Sequence, residues 1–241
     1  MGSDTGWCGR GRHPRRASEK TGDEQVAEDK GAENPKGRGY HHGRLKHALL
    51  AAARALLAEH GSAGFTLAEA AKRVGVTGAA PYRHFADRNA LMAALAQEGF
   101  ENFNESLDRA WQGGAPDPVT ALRRTGAAYL AFVDSEPGLY KAMFGDSRFL
   151  TEAGPRNAAE TAFEALERRV VAVLRHFHAP EQNARALAMQ VWALSHGAAN
   201  LLLAGHFCGN LAEAESVIQT GVASLVEGAV RQSLGVERLI R

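Results

Sequence analysis

Apolar residues recur at steps of three and four along most of this chain, and that period predicts helices throughout. Leu45, Ala48, Leu49, Ala52, Ala53, Leu56 and Leu57 form one stripe of a first helix, which Gly61 and Gly64 end. Thr66 with Glu69 three residues on is a capping box opening a short helix, whose stripe is Leu67, Ala70, Ala71 and Val74. Gly75 stands where the chain must leave that helix. Thr77 is then read as the cap of a second short helix running to Phe85. Asp87 caps a long helix with Leu91, Leu95, Phe103, Leu107 and Trp111 on one side, and the Gly/Pro-rich run 113–118 breaks the chain after it. Further helices follow, with stripes through Leu122, Tyr129, Phe132 and Val133, through residues 137–145, and through 158–177. The last two, 181–206 and 212–234, are long and apolar. No alternating strand pattern and no internal repeat of 20–50 residues is present. The fold class is all-α.

Residues 66–85 read TLAEAAKRVGVTGAAPYRHF: two short helices across a tight glycine turn. The first turn of the second helix carries only Gly78, Ala79 and Ala80, and its far end carries Tyr82, Arg83, His84 and Phe85. An almost bare surface at one end, with ring donors and a cation at the other, suits close approach to a polyanion. This is the pattern of a helix-turn-helix whose second helix enters the DNA major groove. Net charge over the whole chain is +1 and decides nothing, but its distribution does. Residues 36–92 hold nine Lys/Arg against three acids, whereas 93–241 hold thirteen against seventeen. The positive charge therefore lies with the helix-turn-helix, as phosphate binding requires.

Residues 1–39 contain almost no large apolar residue and read as a disordered extension, because burial cannot offset their ordering entropy. With 45% hydrophobic and 23% charged residues, the chain as a whole has the composition of a soluble globular protein. Runs such as 198–204 are too short to span a bilayer, and no apolar signal-peptide core is seen, so no membrane is expected. Cys8 and Cys208 lie far apart in different contexts, and a reducing cytoplasm is the simpler expectation. No metal or cofactor is expected. His41 and His42 are adjacent and His176 and His178 two apart, so neither pair shares a helical face.

Leu45 to Leu91 resembles the tetracycline-repressor (TetR-like) family of bacterial transcriptional regulators. The likeness rests on EHG at 59–61, Phe65-Thr66, Gly75-Val76 and YRHF-x-D-R-x-A-L at 82–91, with YHHGRL at 40–45 before them. PGLYKAMFG at 137–145 and Trp192 with His196-Gly197 resemble the branch whose C-terminal domain is called WHG. The resemblance implies a three-helix DNA-binding domain over 40–103 and an effector-binding and dimerisation domain over 104–235. It implies a homodimer on a palindromic or pseudo-palindromic double-stranded operator, usually as a repressor released by a small-molecule effector. A repressor without ligand control is the alternative. An all-α enzyme using His196 is the reading from another class, and no nucleophile–base–acid spacing or phosphate loop supports it.

Candidate residues follow from both readings. For DNA they are Arg44, Thr66, Thr77, Gly78, Ala79, Tyr82, Arg83, His84 and Arg88, with Lys36 and Arg38 as a minor-groove arm. Tyr82 and His84 match family positions that contact phosphates. Thr66 has two open roles, phosphate ligand or pure cap. Arg88 in the first turn of a helix opposes the macrodipole, a liability that a bound phosphate would reverse. Pro81 inside the second helix implies that this helix starts late. Candidates for the effector are Tyr129, Phe132, Met143, Phe144, Phe163, Trp192 and His196, for each of which a filled core is the plainer reading. Candidates for the dimer interface are Gly197, Ala198, Leu201, Leu202, Val222 and Leu225.

Overall fold

The computed structural model of the chain describes residues 38–61, 65–145 and 153–240, and among these no strand occurs. The helices are α1 (Arg38–His60), α2 (Leu67–Val74), α3 (Arg88–Trp111), α4 (Pro118–Ser135), α5 (Pro137–Phe144), α6 (Ala153–His176), α7 (Ala184–Leu203) and α8 (Leu211–Ile240). Most of the expected extension, Cys8 and the Lys36 arm lie outside the described residues, as do the side chains of Arg38, His41 and His42. Cys208 is disulfide-bonded, against the expectation of reduced thiols.

The caps read from the sequence hold these elements in place. Glu69 N–H donates to Thr66 Oγ1 (3.2 Å) and Thr66 N–H donates to Glu69 Oε2 (2.7 Å), which closes the capping box of α2. Gly75 ends α2 at φ +78°, a left-handed conformation that glycine adopts without a Cβ clash. Asp87 accepts from Ala90 N–H (2.8 Å) at the start of α3, and Asp117 accepts from Val119 and Thr120 N–H at the start of α4. At the other end of α3, Arg124 donates to the carbonyls of Ala110, Trp111 and Ala115. Its guanidinium supplies the donors that the last turn of a helix lacks.

One apolar core runs through both halves of the chain. Leu49 and Leu57 of α1, Leu91, Leu95 and Phe100 of α3, Leu130 of α4 and Leu139 and Met143 of α5 are fully buried in it, and it continues to Ala199 and Ile218. A second cluster, with Leu122, Val170, Val173, Leu187 and Val191, joins α4, α6, α7 and α8. Between the two halves, α5 lies directly on α1. Gly138 packs against the Arg54 carbonyl so closely that any Cβ there would collide with it. Arg54 pairs with Glu136, and Lys141 Nζ donates to the Ala58 carbonyl (2.9 Å). Helix α5 thereby ties the first helix of the DNA-binding segment to the larger bundle.

Residues 77–85 depart from the expectation. Thr77 does not cap an α-helix: its carbonyl accepts from Ala80 N–H (3.0 Å) in a turn, and only a 3₁₀ turn follows, Ala80–Arg83. Pro81 is the physical reason, since it has no N–H to bond to Thr77 and prefers the first turn of a helix. The late start read from Pro81 is therefore carried further, and the element never becomes an α-helix.

Candidate nucleic-acid interface and cavity

The 3₁₀ turn is held by its inner side. Pro81 and Phe85 are buried, so Thr77, Gly78, Ala79, Tyr82 and Arg83 are all exposed along one outward rim. Tyr82, 60% exposed, is among the most exposed large side chains of the chain. A Cβ added to Gly78 would meet nothing within 4 Å, so the backbone there presents an open surface. His84 is half-buried behind the rim. Arg44 is exposed on α1.

Two candidates also carry structural duties. Thr66 Oγ1 accepts from Glu69 N–H in the α2 cap, and the residue is exposed at the helix start. Arg88 Nε donates to the Phe65 carbonyl (2.9 Å), and its guanidinium lies 4.9 Å from the Phe65 ring centroid. It clamps the segment before α2 onto the start of α3 from a half-buried position beside the rim. Arg73 likewise makes a bidentate pair with Glu59 of α1 (2.8 and 2.6 Å). That pair holds Glu59 well below the usual carboxylate range and fixes α2 against α1.

The larger bundle encloses a cavity of about 50 Å³ among α3, α4, α6, α7 and α8. Of the effector candidates, Tyr129 and Trp192 line it. Phe132, Met143, Phe144, Phe163 and His196 do not, and each has a packing reason. Met143 is fully buried beneath Gly99, and Phe132 stacks edge-on to Phe103 at 5.3 Å. Phe144 fills the space between Phe100 (5.3 Å) and His196 (4.9 Å), and Phe163 lies 5.6 Å from Trp192 on its far side. His196 Nδ1 lies 2.7 Å from the Tyr140 hydroxyl, which in turn lies 3.2 Å from the Tyr129 hydroxyl. This polar chain runs behind the cavity wall and reaches it at Tyr129. Burial lowers the His196 pKa and pushes that of Tyr140 up to about 12, so both groups are neutral near pH 7.

Sequence reasoning missed Thr125, Gly126, Ser195 and, above all, Arg169 in the cavity wall. Arg169 is only 4% exposed and donates to Asp108 Oδ1 of α3 (2.5 Å). A signal was available: Arg169 interrupts the α6 stripe between Leu166 and Val173, where a cation must face inward.

The dimer candidates separate by face. Ala198 and Leu202 are buried in this chain's own core, and half-buried Val222 lines the cavity. Gly197 and Leu201 are exposed, with Met189 and Ala193 on the same side of α7. Leu225 is half-buried on α8, and Val217 is 41% exposed there. Helix α7 is long and apolar enough to cross a membrane by length and composition alone, and its inner side is buried against the other helices as in a core helix.

A capped α2, a glycine turn and an outward rim of small, ring-bearing and cationic residues define a helix-turn-helix protein attached to a larger helical bundle. Two family profiles match: "Bacterial regulatory proteins, tetR family" over residues 49–95 and "Tetracyclin repressor-like, C-terminal domain" over 122–225. The chain belongs to the tetracycline-repressor family and is a DNA-binding transcriptional regulator. Among curated relatives it is similar to the nucleoid occlusion factor SlmA of Vibrio cholerae, 28% identical over 132 residues, covering 55% of this chain and 67% of that one. Among solved structures it is similar to a protein of unknown function from Rhodococcus sp. RHA1 (28% identity, TM-score 0.68, covering 82% of this chain and all of the other). It is also similar to a TetR-family transcriptional regulator from Pectobacterium atrosepticum (25% identity, TM-score 0.55, covering 77% and 92%).

Proposed function

We propose that the chain acts as a homodimeric repressor that leaves a palindromic operator when a small molecule enters the bundle cavity. The observation that carries this is α3. Phe103 and Leu107 near its C-terminal end line the cavity, while Asp87 and Arg88 at its start position the helix-turn-helix. A ligand that displaces the cavity end of this unbroken helix acts on the DNA-reading end. Such a ligand must bind the two arrangements with different affinity, or it shifts nothing.

In this reading Thr77, Gly78 and Ala79 meet base edges, Tyr82, Arg83, His84 and Arg44 meet phosphates or bases, and Arg88 supports them from behind. One such rim reads only a few base pairs, so two copies are needed for a genomic address, with half-sites about 34–36 Å apart. The exposed apolar side of α7 and the neighbouring surface of α8 supply the contact between copies. The test is a gel shift with the DNA flanking its own gene, repeated across a compound library. Retarded operator that one compound class releases supports the reading, and binding that no compound weakens supports a constitutive repressor instead.

A further inference from the structure

The cavity wall contains two arginines, Arg123 and Arg169, and neither Asp nor Glu. The two cations occupy different depths. Arg123 is exposed at the rim and donates to Gln219 Oε1 (3.1 Å), so it marks the mouth between α4 and α8. Arg169 is almost completely buried, and a guanidinium stays protonated in proteins. Its one carboxylate partner, Asp108, is 69% exposed and sits outside the lining, bonded to a single Nη2. The remaining wall is mostly apolar, with Phe103, Leu122, Val191 and Ile218 among it. Burial costs this guanidinium solvation that the Asp108 contact and the Trp111 ring, 6.0 Å away, only partly restore, in line with its lowered pKa.

We propose that the effector is a carboxylic acid: a compact apolar body seated in the cavity, with its carboxylate held by Arg169 and drawn in past Arg123. The proposal rests on the cavity being the effector site and specifies its chemistry. A pure hydrocarbon would cover guanidinium N–H groups without offering an acceptor. A cationic ligand would meet two like charges. A planar monoanion matches the guanidinium fork in two parallel hydrogen bonds. The same contact supplies a signal. Arg169 of α6 holds α3 through Asp108, so a ligand carboxylate competing for that guanidinium loosens the α6–α3 tie as it binds.

The experiment is calorimetry and thermal shift on the full chain with matched pairs: hexanoate, cyclohexanecarboxylate and benzoate against hexanol, cyclohexylmethanol and benzyl alcohol. The acids are expected to bind saturably and raise Tm while the alcohols at equal concentration do not, and the strongest acid should release operator DNA. The aliphatic and aromatic arms tell which kind of body fits. Arg169→Lys keeps the charge but loses the fork and should weaken the acid about tenfold. Arg123→Gln, at an exposed position, should weaken it severalfold and reduce its salt dependence. Asp108→Asn removes the competing carboxylate and should tighten acid binding severalfold, whereas a purely structural Arg169 predicts no gain. Alcohols binding as well as acids would overturn the carboxylate and leave the cavity as effector site. Binding by neither series overturns the carboxylate too, and release of operator by an unrelated compound then separates that failure from failure of the switch itself.

Discussion

Tyr82 and Arg88 stand six residues apart, and their side chains have opposite dispositions. Tyr82 points outward and supports nothing, so Tyr82→Ala should leave thermal unfolding unchanged. It should weaken operator and random DNA alike by about tenfold, the scale of a hydrogen bond to a charged group. Arg88 ties Phe65 to α3, so Arg88→Ala should lower Tm by several degrees as well as weakening DNA binding, at a cost of about 1–2 kcal/mol. Unfolding scans beside fluorescence anisotropy separate the two, and an Arg88 variant with wild-type Tm would return that residue to the DNA surface. His196 carries a pH dependence. Its folded pKa lies below the ordinary 6.5, so the unfolded chain takes up this proton first as pH falls. Its contribution is complete above about pH 6.5 and is lost as pH drops toward the folded value. Tm measured from pH 7.5 to 5 should therefore fall less steeply in His196→Asn than in the wild type.

Among the elements, those with strong local chemistry were readable from sequence, and those shaped by tertiary contact were not. The α2 cap, the Gly75 turn and the Asp87 and Asp117 caps are set by side chains within three residues of the backbone they satisfy, so sequence alone locates them. The 3₁₀ turn was misread as an α-helix because Thr77 looks like a cap, whereas Pro81 determines the outcome. Cavity residues were harder. Aromatic residues such as Phe132 and Phe144 look the same in a core and in a pocket, because periodicity reports only that a side faces inward. Arg169 was the informative residue, a charge on an apolar stripe. Nor does the sequence disclose that Gly138 is the contact point of α5 on α1. Gly138→Ala would push a Cβ into the Arg54 carbonyl, a backbone atom that cannot rotate away. Denaturant unfolding should show a loss of about 1–3 kcal/mol, the range for overpacking. The same substitution should alter operator affinity although it lies far from DNA.

At the level of the whole molecule, α7 has two faces with different demands. Ala198, Ala199 and Leu202 complete the chain's own core, while Met189, Ala193, Gly197 and Leu201 leave an apolar strip uncovered. An uncovered strip on a helix this apolar is what a second copy would bury. Sedimentation at micromolar concentration should give a dimer. Leu201→Glu should shift it to monomer and lower operator affinity more than tenfold, while leaving weak binding to random DNA in place. A wild-type monomer that still binds a palindrome tightly would refute this arrangement.

The unbroken α3 and the seat of α5 on α1 also constrain hybrids between this regulator and its relatives. Residues 40–103 cannot be exchanged as a cassette, because α1 must offer the carbonyl and the cation that Gly138 and Glu136 meet. A graft joined within α3 would bring foreign operator specificity together with a mismatched seat for α5. Such a hybrid should read its new DNA site yet respond poorly to effector until α5 is transplanted with α1.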